Sequence, residues 1–164
     1  MMRSFRNRQS IHQSETFIPI RMGWIENYRR RGTSETNQTG STFIDAALQR
    51  WRQLGEELKA DVKEFSAQHS GAEFSTSGDH SYQVTYDESG LQLDITADFD
   101  AQVVRYDYKP TGAATAGAPE GGMLSMRQTR RGGVEFYSAD ERLTSEETRQ
   151  VLLEPVLFPP QLAA

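Results

Sequence analysis

The sequence predicts an α+β fold: a long N-terminal amphipathic helix and a short C-terminal helix packed on one face of a roughly six-stranded antiparallel β-meander. Three observations carry this. Apolar residues recur at three- and four-residue steps from Ile44 to Phe65, which places them on one face of a helix. From residue 72 the apolar period changes to two and holds to Phe136, the mark of strands buried on one side. A second capped apolar stretch, VLLEPVLF, then follows at residues 151–158.

The chain of 164 residues is read as one domain, residues 42–164, preceded by a flexible basic arm, residues 1–41, that is mostly disordered. The arm carries seven arginines against three glutamates, a net +4, while the remainder carries −9. Its stretch RRRGTSETNQTGS lacks the apolar residues needed to offset the entropy of ordering a chain.

The first helix is expected to begin at Thr42, where Thr42-Phe43-Ile44-Asp45 has the shape of a capping box. Its apolar stripe is Ile44, Ala47, Leu48, Trp51, Leu54, Leu58, Val62 and Phe65, with Gly71 as the residue that ends it. Strands follow around Phe74, at Tyr82–Tyr86, Leu91–Ala97 and Val104–Tyr108, then around Leu124–Met126 and Val134–Phe136. Asp87-Glu88-Ser89-Gly90 has Asp first and Gly fourth, as type I turns prefer. Thr144-Ser145-Glu146-Glu147 restarts a helix with Thr and Glu at capping-box spacing. Pro155 disfavours helical geometry at the residue before it, so this helix is expected to end or kink at Glu154.

Several functions are argued against. A mean hydropathy of −0.68 with no long apolar run leaves no transmembrane helix. No apolar stretch follows the basic start, so no signal peptide is expected. The absence of cysteine removes disulfides and thiolate chemistry, and makes the cytoplasm the default location. The acidic body is a poor nucleic-acid surface, and the arm's Arg29-Arg30-Arg31 is too short to be specific.

Asp94, Asp98, Asp100 and Asp107 crowd one region, but as a calcium loop starting at Asp98 they fail. Val103 stands where Gly is required and Lys109 where Glu is required. Gly112 and Gly117 have the spacing of a phosphate loop, with Ala118 and Pro119 in place of its Lys and Ser/Thr. None of the three histidines stands in a recognisable nucleophile motif. No cofactor, catalytic residue or metal ligand is therefore assigned.

The functional expectation is a non-catalytic protein-interaction or oligomerisation module, binding another protein or a second copy of itself. Its candidate contact residues are Leu153, which leaves the shared face of Val151 and Leu152, and Phe158. The alternative is a small-molecule binder or enzyme with a pocket between the long helix and the sheet. Tyr side chains would line that pocket, with His80, Arg105 or Asp107 as its polar groups. The apolar tail after Glu154 is expected to close one end of the sheet's core.

Overall fold

The computed structural model describes the backbone of residues 24–112 and 117–160, and side chains from residue 42 onward. The chain divides into two units, Met1–Thr36 and Asn37–Ala164. In the first, the backbone is helical from Trp24, and residues 1–23 of the expected arm lie outside the described residues.

The elements are α1 (Trp24–Ser66), β1 (Ala72–Thr76), β2 (Ser81–Tyr86), β3 (Leu91–Asp98), β4 (Val103–Pro110), β5 (Gly122–Gln128), β6 (Val134–Ser138), β7 (Glu141–Leu143) and α2 (Ser145–Leu157). The seven strands among the described residues pair antiparallel with their chain neighbours, in the order β1 to β7. Both helices pack on its apolar face, so the α+β architecture stands. The strand count differs by one. β7, Glu-Arg-Leu, is three residues long, too short for a period of two to show.

Three helix boundaries also differ. α1 ends at Ser66, five residues before Gly71, and the turn that follows is held by the His69 N–H bond to the Phe65 carbonyl at 2.9 Å. α1 is already helical before Thr42, because no proline interrupts residues 24–66 and the capping-box pattern falls inside the helix. α2 runs through Pro155 to Leu157. A proline removes the N–H that would bond the carbonyl four residues back, here that of Val151. The phenol of Tyr108, reaching up from β4, donates to the Val151 carbonyl at 3.0 Å and to the Leu152 carbonyl at 2.9 Å. The sheet thus supplies the hydrogen bond that the proline cannot. Burial pushes the Tyr108 phenol well above the usual tyrosine range, and Tyr106 adds to the effect, so it stays a donor. At its start α2 is held by the capping box that the sequence shows: Thr144 Oγ1 accepts from Glu147 N–H, and Glu147 Oε2 accepts from Thr144 N–H.

The core lies between α1, α2 and the inner sheet face. Phe43, Ala47, Trp51, Leu54, Leu58 and Val62 of α1 are buried, whereas Ile44 is exposed. The stripe is therefore entered by Phe43, one residue earlier than its apolar spacing suggests. Trp51 stacks on Tyr82 of β2 with ring centroids 4.2 Å apart, and Arg50 lies over the Phe136 ring of β6 at 4.9 Å. Consecutive residues of α1 thus reach strands on either side of the middle of the sheet. Trp51, Leu54, Leu58, Val84, Leu93 and Ile95 are fully buried, and the helix–sheet interface is filled.

Gly55 permits this close approach. A methyl group there would overlap the ring of Tyr82, whose hydroxyl donates to the Trp51 carbonyl at 3.2 Å. Alanine would gain about 1 kcal/mol of helix propensity, but overpacking a buried, stacked ring costs about 2 kcal/mol. Gly55→Ala is therefore expected to lower the unfolding free energy by about 1 kcal/mol, measured by urea denaturation. A gain in stability would show instead that the Tyr82 ring can move aside.

Candidate functional site

The inner-pocket residues are not brought together. His80 is exposed at the β1–β2 turn, with its ring edge on Phe99 at 4.7 Å. Arg105 and Asp107 project from β4 on the outer, solvent-facing side of the sheet. Strand parity is the reason: Val104 and Tyr108 take the inner face, so 105 and 107 take the other. On that outer face Asp94, opposite Asp107 in register, is held by Gln83, Gln92 and Lys109. Burial alone raises its pKa, but those hydrogen bonds outweigh it and leave the carboxyl below the usual range. Asp94 thus adds stability above the unfolded pKa, which is lost as pH falls through its lower folded value. Asp98 accepts a hydrogen bond from Ala101 N–H at 2.9 Å in the β3–β4 turn. Among the described residues no group of three or more His, Asp or Glu is placed to hold a metal ion.

A different site appears where the two helices meet. α1 and α2 run side by side in the same direction. Arg50 Nη2 donates to Ser145 Oγ at 3.0 Å, Arg149 Nη1 to Asp61 Oδ1 at 2.8 Å, and the Phe158 and Phe65 rings meet edge to face at 5.3 Å. Between the last turns of α1 and the length of α2 lies a groove of about 580 Å³. Its floor is the buried Leu153 and Leu157 with the half-buried Phe65, and the exposed Phe158 also lines it. Leu153 is only 5% exposed and belongs to the core as well as to this floor, while Phe158 is 63% exposed. Of the two residues named as contacts from the sequence, only Phe158 offers a broad apolar surface. Leu153 is buried because α2 is covered on two sides, by the sheet and by α1.

The rim is charged and predominantly acidic. Asp61, Glu64, Glu146 and Glu154 line it, against the single guanidinium of Arg149. Glu154 accepts from Gln150 at 3.0 Å, and among the described residues Glu64 and Glu146 form no ion pair. The Asp61 carboxyl is raised above its usual range. Burial is the main cause; Arg149 opposes it, and Glu64, Glu57 and Glu146 add to it by repulsion. One ion pair at 2.8 Å thus does not offset burial among like charges. With its folded pKa above the unfolded one, the Asp61 carboxyl costs the fold stability as pH rises from the unfolded pKa through the folded one, and the cost persists at neutral pH.

The arrangement sets a charged rim around an apolar floor. His69 is the groove's only histidine, and its ring stacks on Phe65 at 4.6 Å. From sequence alone the groove was hidden, although one signal pointed to it. Two amphipathic helices assigned to one sheet face must be neighbours, and Phe65 and Leu153 are the apolar residues at their shared edge. Among the described residues no helix is long and apolar enough to cross a membrane. The chain matches no family model, no curated protein and no solved structure.

Proposed function

We propose that this chain is a non-catalytic protein-interaction module, and that it takes a segment of another protein in the groove between α1 and α2. The observation that carries the reading is Phe158, a large aromatic left 63% exposed where it lines an apolar-floored groove. Exposed apolar surface rimmed by polar groups is characteristic of interaction sites. A channel between two helices is the setting in which an apolar anchor on a partner segment is taken up. The alternative pocket between α1 and the sheet finds no support, since that space is occupied by Trp51, Leu54 and Leu58. The same proposal places the protein in the cytoplasm, because a chain without cysteine gains nothing from an oxidising compartment.

A photo-crosslinking residue at Gln150, on the groove rim, is expected to trap a partner in cells. The same residue at Arg105, on the outer sheet face, is expected to trap none. Phe158→Ala should abolish the Gln150 product while lowering the unfolding free energy by no more than about 1 kcal/mol, the worth of one aromatic pair. Equal products from both positions, or a product that survives Phe158→Ala, would overturn the reading. A product of twice the chain's mass would identify the occupant as a second copy.

A further inference from the structure

We propose that the segment bound in this groove is cationic, with Lys or Arg residues flanking an apolar anchor. The inference rests on the protein-interaction reading above and specifies its partner. The groove presents four carboxylates and one guanidinium around an apolar floor, so it carries three uncompensated negative charges when His69 is neutral. Glu64 comes from α1, and Glu146 and Glu154 come from opposite ends of α2, so the charges border the groove along its length. An anionic segment would meet repulsion at every point where it crosses the rim. A neutral one would bury the floor and leave the carboxylates crowded as they are.

A cationic segment changes that balance. Its ammonium or guanidinium groups would stand beside Glu64, Glu146 and Glu154, which form no ion pair among the described residues. They would also relieve the repulsion that, together with burial, holds Asp61 partly towards its neutral form. The anchor side chain would lie on Phe65 and Leu153 and against the exposed face of Phe158. Charge then sets which partner is accepted and its rate of encounter, while the floor holds it. Binding should accordingly weaken with salt, because the rim residues Glu64, Glu146 and Glu154 are exposed.

The test is selection from a random-peptide library on the full chain, with Phe158→Ala as the counter-selection. The expected result is a set of peptides in which Arg or Lys surrounds Leu, Phe, Trp or Met. The double variant Glu64→Lys, Glu154→Lys should bind a selected peptide about tenfold more weakly, as expected when attraction at two exposed positions becomes repulsion. Thermal melting of that variant checks that it is folded. Peptides that depend on Phe158 but are neutral or acidic, or whose affinity survives the charge reversal, would overturn the cationic partner and leave the groove as a docking site. No peptide enriched over the Phe158→Ala counter-selection would overturn the docking site itself.

Discussion

Ending the chain at Glu154 is expected to remove a large part of the domain's stability. The truncation deletes Val156, which is fully buried, and Leu157, which is 5% exposed. Burying side chains of this size contributes roughly 1.5–3 kcal/mol each, and the unfilled space they leave adds a further penalty. It also removes the last turn of α2, including the bond from Phe158 N–H to the Glu154 carbonyl at 2.8 Å. The total is about 4–6 kcal/mol, against a typical domain stability of about 5–15 kcal/mol. Thermal unfolding should show a melting temperature lowered by roughly 15 °C or more, or no cooperative transition at all. A truncated chain that melts with the full one would make the tail a contact segment only. Phe158→Ala separates the two roles, because that side chain is exposed while its neighbours are not.

Tyr108→Phe is the second large effect, expected to cost about 2 kcal/mol. Phenylalanine keeps the ring but removes the hydroxyl that serves the Val151 and Leu152 carbonyls. Pro155 cannot serve Val151, so in the variant a carbonyl close to the core is left without a donor. The explanation makes a sharper demand on the double mutant. Pro155→Ala restores a backbone N–H at the position that normally bonds Val151. In that background Tyr108→Phe should cost about 1 kcal/mol or less. Denaturant midpoints of the four proteins form the cycle. An equal cost in both backgrounds would show that Tyr108 acts through packing and not by replacing the missing bond.

Of the two outcomes expected for α2 at Pro155, an end or a kink, the end does not occur: the helix continues to Leu157. Within VLLEPVLF, Pro155 is a sound local reason to stop a helix. The rescue comes from Tyr108, more than 40 residues earlier in the chain. A local rule cannot see a donor delivered by another strand. The same applies to Gly55, which reads as a weak point inside a helix until Tyr82 is known to lie against it. In the other direction, the Thr144 capping box was legible because both of its hydrogen bonds span only three residues. The alternation in β2 and β3 was legible because one buried face imposes it residue by residue. Ile44 and Phe43 fall between these cases. Both are apolar and adjacent, so their order in the stripe depends on the exact rotation of α1 over the sheet.

The candidate site was less legible than the fold. His80, Arg105 and Asp107 were chosen for their chemistry, and strand parity and turn position put all three on the outside. Phe158 was expected past the proline break, in the tail that closes the core and as a candidate contact; it is 63% exposed, and its approach to Phe65 arises only once α1 and α2 lie together.

By itself, the sequence determined the α+β class, the one-sided sheet, the capped second helix and the acidic balance of the body. Each follows from periods, caps and charges that act within a few residues. Only the tertiary structure decided that α2 passes through Pro155, that Leu153 is buried, and that four carboxylates border one apolar groove. Those outcomes depend on the distance between two helices and on side chains from different elements meeting in space, which no local pattern encodes.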